Sequence, residues 1–340
     1  MIDTAMPAIH AAGLTRYFDH RCVVNQLDFD VPPGKVTALL GLNGAGKTTT
    51  IRMMMGLLAP TRGRSQILGV NSHDLSPEHR RRIGYLVEGH YLYPWMRVSE
   101  IAKFTRSFND HWDQQRFSEI VTHFAIDAKQ RVGDLSRGQR AGVSLAATLA
   151  GDPELLILDD PALGLDPVSR RSLNETLIDF AGQSTCDGRP RTVLLSTHLI
   201  DDVERIADEI AVMIAGRLLI HTSLADFQSR VNRYAMEVSP EEDPAELLSK
   251  LQSIAAGIVE VRLVGKHVLV CVADAPSDFT ERLISLTHGD VEALTTSLDD
   301  LVVAYLSRER AEHSFVTSTP YGGKACTDND SLVSTQEQSR

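Results

Sequence analysis

The chain has 340 residues, of which 43% are hydrophobic and 23% charged, and its 34 basic against 45 acidic side chains give a formal charge of −11. That length corresponds to about two domains with a sizeable buried core, and with a mean hydropathy of −0.11 it excludes wholesale disorder and fibrous repeats. The acidic balance also argues against a broad electrostatic grip on nucleic acid.

Cys22, Cys186, Cys271 and Cys326 are scattered without a C-x-x-C pair, which speaks against a zinc site or a disulfide framework and suits a reducing compartment. Met1 to Ala12 combines no basic n-region with an apolar h-region, so no export signal is expected. A membrane span needs roughly 20 predominantly apolar residues. The apolar runs here, such as Val193–Leu195 and Ile210–Ala215, are soon interrupted, so any membrane role must come through a partner.

In chain order, Val36–Leu40 reads as a buried strand that opens through Gly41–Gly46 into a helix over Thr48–Leu58. Ser99 to Phe124 has helical spacing, with Ile101, Phe104, Phe108, Phe117, Ile120 and Phe124 as its apolar positions. Leu155–Leu158 and Val193–Leu195 end at polar residues, as parallel strands do when they deliver side chains to a site at their carboxyl ends. Ile210–Ile214 and Arg217–Ile220 read as a hairpin.

Composition shifts near Asn232. Strands at Tyr234–Val238, Ile258–Leu263 and His267–Val272, helices at Pro244–Ile254 and Ser277–Leu286, and a turn at Gly265 spell a small split β-α-β unit. Ser297 reads as the cap of a closing helix. From Ala311 to Arg340 the composition is that of a disordered tail.

The strand, loop and helix at Gly41-Leu42-Asn43-Gly44-Ala45-Gly46-Lys47-Thr48 fit the G-x-x-x-x-G-K-[ST] phosphate loop. Small residues let successive N–H groups curl around phosphates at a helix N-terminus. Gly41, Asn43, Gly44, Ala45, Gly46, Lys47, Thr48 and Thr49 are therefore the expected nucleotide contacts, with Lys47 bridging phosphates and Thr48 on Mg²⁺. Asp159, at the end of Leu155–Asp159, is the second expected metal ligand.

Together with these, Leu135-Ser136-Arg137-Gly138-Gln139 resembles the L-S-G-G-Q signature of the ATP-binding cassette (ABC) transporter ATPases, and the resemblance runs over about Ile9 to Ile220. Taken alone, the pentapeptide could be an ordinary helix cap on Ser136. The resemblance implies an α/β fold: a P-loop NTPase cassette with a mixed sheet over 1–230 and a helical subdomain at about 90–150. Element order and composition add a small α+β accessory domain over 231–310 and a disordered tail over 311–340. The resemblance also implies ATP and Mg²⁺ as ligands, and a head-to-tail homodimer or heterodimer in which Ser136, Gly138 and Gln139 meet the partner's γ-phosphate. Tyr17 would stack on adenine, with Phe18 as its rival, Asp166 would order the dimer contact, and His198 would reach the γ-phosphate and water.

Two departures from the family pattern bear on the chemistry. Asp160 stands where the family has the glutamate general base, so a carboxylate drawn back by about 1 Å should slow hydrolysis. Glu88 stands where many relatives have glutamine, and could serve as a catalytic or metal-binding carboxylate. The aromatic segment His90–Trp95 is either a pocket for a permease helix or packing within the helical insert.

The expected function is thus the ATP-hydrolysing subunit of a transporter of the export branch. It would lie at the cytoplasmic face of the membrane on a separately encoded permease, with no nucleic acid involved. The alternative is a soluble ABC-type clamp on nucleic acid or ribosomes. Residues 234–310 are read either as a regulatory module or as a cap packed on the cassette.

Overall fold

The computed structural model describes residues 6–237, 250–251, 257–264, 267–287, 291–295 and 297–307. Strands β1 (Ile9–Phe18) and β2 (Arg21–Val31) pair antiparallel and lead into β3 (Val36–Leu40), which is buried at every position, as a strand covered on both faces must be. The glycine loop follows, then α1 (Lys47–Met54), β4 (Arg62–Ile67), β5 (Val70–Asn71), α2 (Pro77–Arg81) and β6 (Ile83–Leu86). The helix expected to run to Leu58 stops at Met54. Gly56 adopts φ +67°, and a Cβ there would lie 2.0 Å from the Ser72 carbonyl oxygen, so only glycine can make this close approach.

The expected helical insert forms α3 (Val98–Arg106) and α4 (Gln114–His123), packed with α5 (Arg137–Leu149). Next come β7 (Leu155–Asp159), α6 (Pro167–Ala181), β8 (Thr192–Thr197), α7 (Ile200–Ile206), the hairpin β9 (Glu209–Ile214) and β10 (Arg217–Ser223), and α8 (Leu224–Arg230).

The central sheet has the order β10-β9-β3-β8-β7-β6, parallel except for β10. Its side chains alternate between two cores. Leu155 and Ile157 face α1 and the antiparallel sheet β2-β1-β4-β5, together with Ile9, Leu14, Phe29 and Ile51. Leu156 and Leu158 face the helical insert. Register sets Asp159 beside Ser196 and Leu40 beside Thr197, so three strands deliver their carboxyl ends to the mouth of the glycine loop.

Arg191 ties the start of β8 to the turn before β7. It is only 2% exposed; it pairs with Asp152 at 2.5 Å, donates to the Pro153 and Ser184 carbonyls, and lies 4.5 Å from the Phe180 ring centroid. Burial alone would raise the Asp152 pKa, but hydrogen bonds from Cys186 and Arg191 hold it below the usual carboxylate value. Its contribution to stability is therefore present above the unfolded carboxylate pKa and lost as the pH falls through the lower folded value. Arg191→Met leaves Asp152 with the Cys186 amide and Arg116 at 3.9 Å, and is expected to cost about 1.5–3 kcal/mol, read as a lower urea midpoint with an unchanged slope.

Beyond the hairpin, β11 (Val231–Glu237), β12 (Ile258–Val264), β13 (His267–Ala273), α9 (Phe279–Thr287), β14 (Val291–Leu294) and α10 (Leu298–Ser307) follow. Their sheet, β12-β13-β11-β14, is antiparallel throughout, the arrangement a split β-α-β unit requires. Of the expected helix Pro244–Ile254 only 250–251 fall within the described residues, and the turn at Gly265 and the tail 311–340 lie outside them.

Tyr234, Met236, Val270, Phe279 and Leu283 form a core of their own. By contrast, α10 points Leu298, Leu301, Val302 and Tyr305 at Val203, Ile210, Val212 and Phe227, with Phe227 and Tyr305 ring centroids 5.4 Å apart. The Ser297 hydroxyl accepts the Asp300 amide at 3.2 Å, so it caps α10 as expected.

Candidate active site

The loop between β3 and α1 is shaped by its glycines. Gly44 and Gly46 have φ of +84° and +106°, and a Cβ on Gly46 would stand 2.8 Å from the Val23 carbonyl oxygen. A Cβ on Gly41 would meet the Met213 carbonyl oxygen at 2.6 Å. Asn43 is exposed at the mouth and Ala45 is buried. Lys47, the first residue of α1, is 5% exposed; its Nζ donates to the Gly41 carbonyl at 2.9 Å and lies 3.5 Å from Asp160 Oδ2. A buried ammonium is costly unless it has anionic company, and here a carboxylate supplies it.

Thr48 follows, with its hydroxyl donating to Asp159 Oδ1 at 3.0 Å, and Thr49 continues the helix. Asp159 also accepts from the Ser196 hydroxyl at 2.8 Å. The next residue, Asp160, adopts a left-handed φ of +44°, uncommon for a residue with a side chain. Its amide donates to both the carbonyl and the hydroxyl oxygen of Ser196 at 3.1 Å. Its carboxylate reaches His198 Nδ1 at 2.9 Å. Since a carboxylate only accepts, Nδ1 carries the proton, and in the neutral ring Nε2 is left as an acceptor. Lys47, Asp160 and His198 thus form one chain of contacts.

Ser196 was not singled out from the sequence. The signal was available: a small hydroxyl residue follows the apolar run Val193–Leu195 two positions before His198, and the structure sets it in register with Asp159.

The remaining expected residues lie around this centre. Tyr17 and Phe18 end β1 and are both about two-fifths exposed, but the Arg16 guanidinium stands 4.7 Å from the Phe18 ring centroid, leaving Tyr17 as the freer face. Glu88 is exposed on the loop after β6. Within the aromatic segment Tyr93 and Trp95 lie with ring centroids 5.2 Å apart. Tyr93 packs edge-on to Phe104 at 5.7 Å, whereas Tyr91 and Trp95 are 84% and 67% exposed.

Ser136, Gly138 and Gln139 are in a different place. Ser136 caps α5 by accepting the Gln139 amide at 3.1 Å, while Gln139 Oε1 accepts the Ser136 amide at 3.1 Å, a reciprocal capping box. A Cβ on Gly138 would lie 2.0 Å from Ser169 Oγ, so this helix start is pressed against the start of α6. Asp166 caps α6 by accepting from the Val168 and Ser169 amides at 3.0 Å. The Ser169 hydroxyl and those amides hold its carboxyl below the usual range. These bonds stay within the two caps, while those of Lys47 and Thr48 go to Gly41 and Asp159.

As to magnesium, among the described residues no three His, Cys, Asp or Glu side chains gather around one point. The oxygen donors at the loop are Thr48 and Asp159, a sparse set of the kind Mg²⁺ completes with substrate phosphates and water.

A parallel sheet whose carboxyl ends surround a glycine loop, a buried lysine and paired acids defines a P-loop nucleotide-hydrolysing protein. The profile of the ABC transporter family matches residues 24–163. The chain is 30% identical to the Nod factor export ATP-binding protein I of a Rhizobium species, over 89% of this chain and 98% of that one. It is also 30% identical to the bacitracin transport ATP-binding protein BcrA of Bacillus licheniformis, over 66% of this chain and 73% of that one. A solved structure of an ATP binding subunit of an ABC transporter superposes with a TM-score of 0.59 at 27% identity, covering 65% of this chain and 92% of that one. The chain belongs to the family of ABC transporter ATP-binding proteins and is an ATPase.

Proposed function

We propose that this protein binds and hydrolyses ATP as a dimer of cassettes and couples that cycle to a separately encoded membrane permease, in the direction of export. The observation that carries the hydrolytic part is the chain Lys47–Asp160–His198 at the mouth of the phosphate loop. Lys47 binds the phosphates, Asp160 takes a proton from the attacking water, and His198 is held by Asp160 with Nε2 free to contact water or phosphate. Thr48 and Asp159, with Glu88 as a further carboxylate, would hold Mg²⁺, which would neutralise phosphate charge. Tyr17 stacks on the adenine ring.

Dimerisation is supported by the placement of Ser136. A helix start can bind an anion, yet the bonds of Ser136 close within α5, its start is pressed against α6, and none of them reaches the loop of the same chain. A second copy laid head to tail would bring Ser136, Gly138, Gln139 and Asp166 to the partner's nucleotide. Export is supported by the printed functions of the relatives, Nod factor export among them. Among the described residues no helix is long and apolar enough to cross a membrane. Attachment would therefore run through the exposed aromatic face of Tyr91 and Trp95, which fits a permease helix at the cytoplasmic surface. Residues 231–310 act as a cap on the cassette, docked by α10.

The test is the mass in solution of Asp160→Asn with saturating MgATP, measured by light scattering. A nucleotide-dependent dimer, lost on Ser136→Arg, is the expected result. A monomer under all conditions would overturn the dimer reading.

A further inference from the structure

His90 takes no part in the chemistry above, yet it is 3% exposed and its ring reaches the residue that follows Asp160. Gly89 and His90 are both left-handed, with φ of +88° and +49°, a pair of turns that sends His90 inward from a loop whose next residue, Tyr91, faces solvent. His90 Nε2 lies 2.9 Å from the carbonyl oxygen of Pro161. A carbonyl accepts and cannot donate, so Nε2 must carry the proton. The other ring nitrogen, Nδ1, is buried without a hydrogen-bond partner. A buried imidazole that satisfies only one nitrogen, on a backbone turned left-handed to admit it, is kept for the bond it does make.

Pro161 immediately follows Asp160. Ser196 holds the Asp160 amide on one side, and His90 holds the carbonyl of the following residue on the other. From this geometry we infer that His90 is a positioning residue: it ties the Glu88 loop to the Asp160–Pro161 segment and fixes the height of the Asp160 carboxylate. The inference rests on the reading of Asp160 as the group that activates water. It matters more here than it would with a longer acid. An aspartate has no spare methylene to absorb a shift of its backbone, and a displacement of about 1 Å can cost on the order of 10²-fold in rate. It also gives the exposed aromatic face a physical route to the acid, since Tyr91 is bonded directly to His90 and its ring covers Gly89.

The experiment compares the full chain with His90→Gln and His90→Asn, measuring single-turnover ATP hydrolysis and, separately, ATP affinity by calorimetry. Glutamine places an N–H where Nε2 stands, and asparagine does not reach. Expected are a rate about tenfold lower for His90→Asn with ATP affinity unchanged, and recovery to within about threefold for His90→Gln. Equal rates for all three chains, or parallel loss of rate and affinity in both variants, would overturn the inference. If His90→Asn does not fold, nitrogen-15 NMR of the histidines in the unaltered chain decides. A neutral ring protonated at Nε2 upholds the bond to Pro161, and one protonated at Nδ1 refutes it. Asp160→Asn serves as the control: hydrolysis at the unaltered rate there would refute the role given to Asp160, whatever His90 does.

Discussion

Asp160→Asn is expected to leave ATP bound and unhydrolysed, with turnover lower by about 10²–10⁴-fold, the range that a positioned general base contributes. The amide keeps the shape of the side chain and its contact with His198, but cannot take the proton. The informative counterpart is Asp160→Glu. Adding one methylene advances the carboxylate by roughly 1 Å, and turnover should rise on the order of tenfold. The opposing consideration is also structural. Asp160 already reaches His198 at 2.9 Å and Lys47 at 3.5 Å, so a longer side chain must find room between two partners that are in place. Phosphate release under steady-state conditions separates these outcomes. A glutamate variant no faster than the unaltered chain would show that the left-handed backbone at Asp160 has already made up the missing length.

Lys47→Ala should act at the other end of the cycle, on binding. Its ammonium is buried, within 3.5 Å of Asp160, and held by the Gly41 carbonyl, so it is aimed at the loop before any phosphate arrives. Truncating one member of a buried charged contact costs about 2–5 kcal/mol, which corresponds to ATP affinity weaker by roughly 30-fold to a few thousand-fold. Calorimetric titration should then show Asp160→Asn binding like the unaltered chain and Lys47→Ala hardly binding. If Lys47→Ala retained full affinity, the phosphates would have to be held by the loop amides and the helix end alone.

Much of the frame was legible in the sequence because buried parallel strands leave a plain signature. Val36–Leu40 has no polar residue beyond Thr37, and β7 and β8 grow out of runs as apolar, so their ends and the acids and histidine they carry could be placed. The antiparallel sheet was harder to read. β1 shifts register against β2 between Ala11 and Leu14 and again near Arg16, and such bulges break the two-residue alternation that marks a strand. The end of α1 was missed for a different reason. Met55, Leu57 and Leu58 are acceptable in a helix, and what stops it is the Ser72 backbone lying against Gly56, a contact between segments. His90 belongs to the same class. Its neighbours in sequence are aromatic and surface-facing, and nothing local tells that its ring crosses to a carbonyl seventy-one positions away.

The docking of α10 bears on how the chain is made. Leu298, Leu301, Val302 and Tyr305 complete an apolar interior whose other members include Ala38, Leu40, Val203 and Ile210. Synthesis runs from the N-terminus, so a nascent chain released at residue 230 would have made every phosphate-binding group while Phe227 and its neighbours still awaited their cover. That interior closes only when α10 has left the ribosome, and truncated forms should fail by clumping together before they fail by losing nucleotide.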